Sequence, residues 1–173
     1  MSYKEKLKDI KAFVFDVDGV FTDGSIYLMP DGSMCRTMNV LDGYAVVKAL
    51  AYGYKVGIIT GGDDLMVKKR LQYLGIEDYY PKSKNKMIDF EDFKKKYNLQ
   101  NSEILSMGDD IPDREMLQVS LISACPENAV AEIKSVSDYI SPIKGGSGAV
   151  RDVIEQVMKV QGKWDIKDET ASV

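Results

Sequence analysis

Ala12-Phe13-Val14-Phe15-Asp16-Val17-Asp18-Gly19 is a continuous apolar run that ends in two carboxylates and a glycine. Four apolar residues, three of them large or β-branched, with no polar interruption read as a strand buried on both faces, predicted over 12–16, and such strands belong to parallel sheets. The carboxylates then stand where the strand runs out into a loop, which is where open parallel sheets place their ligands. Gly19 lets the chain turn at once and bring Asp16 and Asp18 to one pocket. Acids in this position also cap helices and close turns, so the fragment alone leaves a structural and a chemical role open.

The rest of the chain repeats the theme of short apolar runs alternating with amphipathic stretches. Further strands are predicted at 55–59, 104–107, 120–123 and 138–140, and helices at 42–52, 63–74, 84–97, 112–118, 127–134 and 147–161. In the last, Val150, Val153, Ile154, Val157 and Met158 recur at helical spacing. This βαβα order predicts an α/β protein with a doubly wound, Rossmann-like parallel sheet and helices on both faces. Residues 24–41 break the order. Ile26, Leu28, Met34, Arg36 and Met38 alternate around Pro30-Asp31-Gly32, which predicts a β-hairpin projecting from the end of the first strand. One domain is expected over 1–164, with 165–173 as a disordered polar tail.

Composition narrows the chemistry. A 173-residue chain, 45% hydrophobic and 29% charged, is large enough to bury a substantial core. Its formal charge of −4 supplies no basic excess for a nucleic-acid backbone. No apolar run reaches the roughly 18 residues of a membrane span, and the amino terminus lacks the apolar centre of a signal peptide, so a cytoplasmic protein is expected. Cys35 and Cys125 have no CxxC spacing and are read as two thiols rather than a disulfide framework. Histidine is absent, which excludes a Ser-His-Asp triad, a histidine acid and a histidine-ligated zinc site. Carboxylates, lysine and hydroxyls remain.

A second acidic group supplies what the first lacked. Gly108-Asp109-Asp110 follows the apolar run 104–107, and Pro112-Asp113 reads as a helix start. Four or five carboxylates converging at neighbouring strand ends repel one another unless a cation sits among them, and a hard oxygen-liganded ion such as Mg²⁺ fits. Thr60-Gly61-Gly62 ends another strand before a helix, so its hydroxyl and amides can bind phosphate oxygens. A turn that merely needs glycine explains the same residues. Lys86 stands among Lys82, Lys84, Lys94, Lys95 and Lys96, and only its place in the motif order singles it out.

Asp16/Asp18, Thr60, Lys86 and Asp109/Asp110/Asp113, in that order, resemble the four motifs of the haloacid dehalogenase superfamily. Within it the chain is similar to the small capless sugar-acid phosphatases. FDVDGVFTDG (15–24), NVLDGYAVVKAL (39–50), GIITGG (57–62), VKKRLQYLGI (67–76), GDDIPD (108–113) and GGSGAVRDVIEQVMKVQGK (145–163) carry the resemblance. About two dozen residues separate Thr60 from Lys86, which leaves no room for an inserted cap domain. The resemblance implies a Mg²⁺-dependent phosphomonoesterase of lipopolysaccharide sugar biosynthesis, hydrolysing 3-deoxy-D-manno-octulosonate (Kdo) 8-phosphate through an aspartyl phosphate. It implies Asp16 as nucleophile and Asp18 as general acid and base, with Thr60, the Gly61 amide and Lys86 on the phosphoryl oxygens. The metal ligands it implies are Asp16, Asp18 through its backbone carbonyl, and Asp109, with Asp110 and Asp113 behind them.

Two positions depart from the subfamily pattern. Asp63 and Asp64 follow Gly62 where an arginine is common, and Ser147 stands where GGRG is usual, so two cations are missing from regions that, in the family, face a sugar-acid carboxylate or a neighbouring subunit's active site. Arg70 is the remaining carboxylate binder that the resemblance implies. Relatives acting on nonulosonate 9-phosphates usually carry glutamate at the position of Gly62, which makes them the alternative rather than the first reading. A receiver-type phosphoacceptor domain is a rival of another class, but the second acid of the DxD pair would hydrolyse its stored phosphoryl group. A catalytically idle partner-binding subunit is a third. The family also implies a homotetramer in which the hairpin packs and the 145–148 segment of a neighbour completes each site, while a hairpin folded back on its own core is the other reading.

Overall fold

The structure, a computed structural model, describes residues 3–165. In chain order the elements are α1 (Tyr3–Lys6), β1 (Ala12–Phe15), β2 (Tyr27–Leu28), β3 (Met34–Cys35), α2 (Val40–Ala51), β4 (Lys55–Ile59), α3 (Leu65–Tyr73) and β5 (Asp78–Tyr80). They continue with α4 (Lys86–Tyr97), β6 (Ile104–Met107), α5 (Arg114–Val119), β7 (Ile122–Cys125), α6 (Ala131–Lys134), β8 (Tyr139–Ile140) and α7 (Ala149–Val160). Six strands form one parallel sheet in the order β5-β4-β1-β6-β7-β8. The chain winds outward from β1 through β4 to β5, then returns to β6 on the other side. The strand order therefore reverses between β1 and β6, at the crevice where such sheets bind ligands.

Alternation along β1 divides the core. Phe13 and Phe15 pack on one face with Val46, Leu71, Val153 and Val157, whereas Ala12 and Val14 pack on the other with Phe90, Phe93 and Met116. All four β1 side chains are fully buried, and each large one contributes about 1.5–3 kcal/mol by leaving water. At Gly57 in β4 an added Cβ would lie 2.9 Å from the Phe93 ring, so glycine is what lets α4 close on the sheet.

Several boundaries move from their sequence-based positions, each for a local reason. Helix α3 starts at Leu65 rather than 63 because the Asp64 carboxylate accepts from the amides of Met66 and Val67. The predicted strand 120–123 becomes Ile122–Cys125, since Ser120 ends α5 with its hydroxyl on Met116 O and Ser106 Oγ. Only Ala131–Lys134 of the predicted helix 127–134 is helical, the first half being a turn closed by Ala129 N–H on Pro126 O. The hairpin pairs only Tyr27↔Cys35 and Leu28↔Met34, and the end of the 24–41 segment belongs to α2, whose Asn39 cap accepts from Leu41 N–H. Strand β5 was not foreseen: Asp78-Tyr79-Tyr80 has no aliphatic run, and its acid is held by Lys96 and Tyr97. The expected disordered tail lies, after Asp165, outside the described residues.

Helix α7 begins after Gly148, which has no side chain to cap it. Asp42 of α2 does so from across the interface, accepting from Arg151 N–H at 2.8 Å, while its second oxygen is buried without a partner. Burial pushes Asp42 up to about 6, against the pull of the α7 amides. Because the folded state favours the protonated form, the fold gains from Asp42 fully below its ordinary carboxylate value, and that gain is lost as pH rises from about 4 through about 6. Asp42→Asn is therefore expected to flatten this loss. The stability difference should move toward the variant by up to about 3 kcal/mol between pH 4 and pH 7, measured by urea unfolding. A difference independent of pH would show that Asp42 does not titrate across this range.

Candidate active site

The loop after β1 is organised by backbone contacts. Asp16 N–H bonds to Met107 O at 3.1 Å, which extends the β1–β6 ladder one residue into the site. Val17 N–H donates to Asp16 Oδ1 at 2.7 Å and fixes the carboxylate. The amides of Val20, Phe21 and Thr22 all turn back onto Val17 O, and Thr22 Oγ1 accepts from Gly19 and Gly24. Gly19 has φ +83°, and an added Cβ would fall 2.0 Å from Asp109 Oδ2. Glycine is needed there twice, for the left-handed turn and for the close approach of the second acidic loop. A Cβ at Gly108 would meet Asp113 at 2.4 Å for a similar reason. On the far side Gly145 and Gly146 press on the same loop: Gly146 N–H bonds to Val20 O at 3.0 Å, and a Cβ at Gly145 would lie 1.8 Å from Gly19 O.

Within this frame the carboxylates of Asp16, Asp109 and Asp113 approach until one oxygen of each lies within 4.8 Å of the others. Lys86, the first residue of α4, reaches in with Nζ 2.9 Å from Asp16 Oδ2 and 2.6 Å from Asp113 Oδ1. The other Asp113 oxygen accepts from the amides of Asp109 and Asp110, so Asp113 is fully committed to holding its neighbours. Lys86 is thus buried with its ion pairs, whereas Lys82, Lys94 and Lys96 make theirs at or near the surface, because the Asn85 cap starts the helix at Lys86. Thr60 is buried at the end of β4, with its amide on Tyr80 O and its carbonyl accepting from Ser83, while Gly61 is exposed beside it.

The electrostatics are strained in one direction. Burial, and then Asp113, push Asp16 upward against the opposing pull of Lys86. Burial followed by Asp113, Asp16 and Asp110 raises Asp109 to about 7. Burial lowers Lys86, but its two carboxylate partners outweigh that and hold it above its ordinary value. Three carboxylates against one ammonium leave two negative charges when all are ionised (3 − 1), the charge that a divalent cation cancels. Oxygen donors packed this closely, on loops whose glycines leave no other filling, suit Mg²⁺.

Asp18 is placed differently. Its carboxylate faces the hairpin, where Arg36 grips it with Nε at 2.6 Å from one oxygen and Nη2 at 3.2 Å from the other. The third arm of Arg36, Nη1, bonds to Asp64 at 2.9 Å. Sequence reasoning gave Arg36 no role. Its one signal was being the lone cation in the alternating Met34, Arg36, Met38 face of the hairpin. Arg70 lies over the Tyr73 ring at 5.5 Å, on the wall of a 360 Å³ cleft between hairpin and α3 that Arg36 and Asp64 also line. Asp63 points outward to Lys82, and Asp110 caps Ile111.

A parallel sheet with an aspartate pair in the loop after a central strand, a second acidic loop after its neighbour, and a threonine and a lysine alongside defines an aspartate-based phosphohydrolase. Residues 70–154 match the haloacid dehalogenase-like hydrolases. The chain is 35% identical over 160 residues to the 3-deoxy-D-manno-octulosonate 8-phosphate phosphatase of Escherichia coli K12, an alignment spanning 92% of this chain and 85% of that protein. The crystal structure of the Yersinia pestis phosphatase of that name aligns with a TM-score of 0.91 at 29% identity, over 92% of this chain and 86% of that one. The Moraxella catarrhalis phosphatase, crystallised with magnesium, phosphate and Kdo, gives a TM-score of 0.89 at 33% identity over 92% and 91%. The chain belongs to the haloacid dehalogenase-like hydrolases, in the family of the 3-deoxy-D-manno-octulosonate 8-phosphate phosphatases.

Proposed function

We propose that this chain hydrolyses Kdo 8-phosphate to Kdo and inorganic phosphate. The observation that carries the reading is the buried Asp16, held between Val17 N–H and Lys86 Nζ at the reversal of strand order. Asp16 attacks phosphorus and takes the phosphoryl group as a mixed anhydride, while Asp18 gives a proton to the departing sugar oxygen. Water then loses a proton to Asp18 and attacks phosphorus, which returns Asp16 and releases phosphate. Thr60 Oγ1, the Gly61 amide and Lys86 Nζ bear the charge of the phosphoryl oxygens. Asp113 acts by fixing Lys86 and the amides of the acidic loop.

The residues that would hold Mg²⁺ are Asp16 and Asp109 by side chain and Asp18 by backbone carbonyl, with Asp110 and Asp113 behind them. When bound, the ion supplies positive charge to the phosphoryl oxygens and keeps Asp16 ionised. Chelation is expected to abolish phosphate release, Mg²⁺ to restore it, and excess Ca²⁺ to inhibit through its larger, looser coordination. Since Asp109 sits near 7 in the metal-free protein, Mg²⁺ binding at pH 7 should release protons. Calorimetry in two buffers of different ionisation enthalpy measures this directly. Full turnover after exhaustive chelation would remove the carboxylates from any role in metal binding.

The substrate itself is tested by kcat/KM for Kdo 8-phosphate beside nonulosonate 9-phosphates and neutral sugar phosphates. The reading fails if a neutral sugar phosphate is preferred. The same reading includes a cytoplasmic enzyme whose single domain spans 1–164 without a cap, assembled as a homotetramer. Ile26, Tyr27, Met29 and Met34 of the hairpin are exposed and Leu28 is 80% exposed, which supports burial of this face between subunits. Among the described residues no helix is long and apolar enough to cross a membrane. In this reading the 145–148 segment completes a neighbour's site, while within its own subunit Gly145 and Gly146 press on the loop after β1.

A further inference from the structure

We infer that Arg36 is the residue that reads the substrate's carboxylate, and that it does so by exchanging one carboxylate for another, leaving Asp18 for the sugar acid. The inference rests on the proposed sugar-acid phosphatase reading and adds to it the residue responsible for specificity.

Three observations lead there. Arg36 is held as an anion receptor: its side chain is only 8% exposed, and three of its five N–H donors already meet carboxylate oxygens of Asp18 and Asp64. A planar fork of this kind binds carboxylates in pairs of parallel bonds, which a lysine cannot do. Next, the anion it grips is the group that must meet the departing sugar oxygen. With Nε on one Asp18 oxygen and Nη2 on the other, the guanidinium grips both oxygens of the ionised carboxylate, and a carboxyl carrying the proton it must donate is a weaker partner for the fork, so the clamp has to loosen for Asp18 to act as the acid. A second carboxylate arriving beside Asp18 offers the guanidinium an equivalent partner, so the exchange leaves Arg36 paired throughout.

Lastly, there is room for the arriving group. The 360 Å³ cleft beside Arg36 runs between the hairpin and α3, lined by Met34, Met38, Met66 and Val67 with Arg70 on its wall. It is within the size range of small-molecule sites and carries apolar walls with a few fixed charges. Gly62 leaves space beside the fork: a Cβ there would sit 3.8 Å from Arg36 Nη2, 3.7 Å from Thr60 Oγ1 and 3.6 Å from Asp18 Oδ2, so a longer side chain would crowd Thr60, Asp18 and the guanidinium. The two cations absent at Asp63 and Ser147 are thereby answered by one supplied from the hairpin. Asp64 anchors Arg36 by its third arm while itself fixed as the cap of α3, so the guanidinium can pivot toward the cleft without leaving the site.

The test uses a matched pair, Kdo 8-phosphate and its C1 methyl ester, which differ in the charge of one group. Wild-type enzyme should prefer the free acid, and Arg36→Ala should lower kcat/KM on it about 10- to 100-fold more than on the ester, mainly through KM. Arg36→Lys should recover part of that discrimination and the neutral but polar Arg36→Gln none, which keeps the test decisive should the alanine variant fold poorly. An ion pair that merely pins the hairpin would weaken both substrates equally and lower the melting temperature. Equal losses on acid and ester, in an enzyme whose wild type prefers the acid, overturn the role of Arg36 and leave the phosphatase reading standing. A wild type indifferent to the C1 charge overturns the sugar-acid reading and this inference together.

Discussion

Asp16→Asn is expected to lower turnover by about 10⁴-fold or more while leaving the fold intact, because an amide cannot form the acyl phosphate on which both half-reactions depend. Stability should follow the opposite trend from activity. Asp16 is disfavoured as an anion by burial and by Asp113, and its neutral replacement removes one charge from a site that carries too many. The melting temperature should therefore stay level or rise in metal-free buffer even as turnover disappears. Phosphate release, differential scanning calorimetry and a mass spectrum that excludes deamidation back to aspartate check the three parts. Near-normal turnover in an undeamidated, folded variant would end the assignment of Asp16 as nucleophile.

Lys86→Met should fail in both respects. The methionine retains most of the stem volume but leaves Asp16 and Asp113 buried without the ammonium that both contact. Removing one partner from a buried ion pair costs about 3–5 kcal/mol. For a chain of this size that corresponds to a fall in melting temperature of roughly 6–20 °C. Loss of a charge facing the phosphoryl oxygens should cost a further factor of about 10²–10³ in kcat. Mg²⁺ should recover part of the stability, since it answers the same excess of negative charge, and none of the rate. A Lys86→Met protein with unchanged melting and turnover would mean that the lysine is a bystander.

The contrast between Lys86 and Arg36 shows what the sequence could disclose. The central strands β1, β4 and β6 were legible because buried parallel strands leave continuous apolar runs, and the acids at their ends were legible because they follow those runs directly. Lys86 could be found only through motif order. Its burial depends on where Asn85 starts the helix, and its partners Asp16 and Asp113 lie far away in sequence. Arg36 was invisible because its meaning comes from a hairpin folding back over the loop it left, a contact that alternation along the strand does not encode. Strand β5 went unseen for the reverse reason, being held at the sheet edge by polar side chains where an apolar run was sought. The glycines divide similarly. Gly19 announces a turn in any sequence, whereas Gly108 is needed only because Asp113 comes to rest against it.

The clasp between Gly19–Val20 and Gly145–Gly146 bears on how the enzyme comes into being. A chain synthesised as far as Asp113 already contains Asp16, Asp18, Thr60, Lys86 and Asp109, every side chain that the proposed chemistry uses. What it lacks is the segment that buttresses the loop carrying the first two, together with α7, whose apolar face completes one side of the core. Contacts between such distant parts of the chain form late, after much loop entropy has been surrendered. Catalytic competence should then emerge only when residues 145–146 dock on the loop at 19–20, so that a chain ending before Gly145 is expected to be inert.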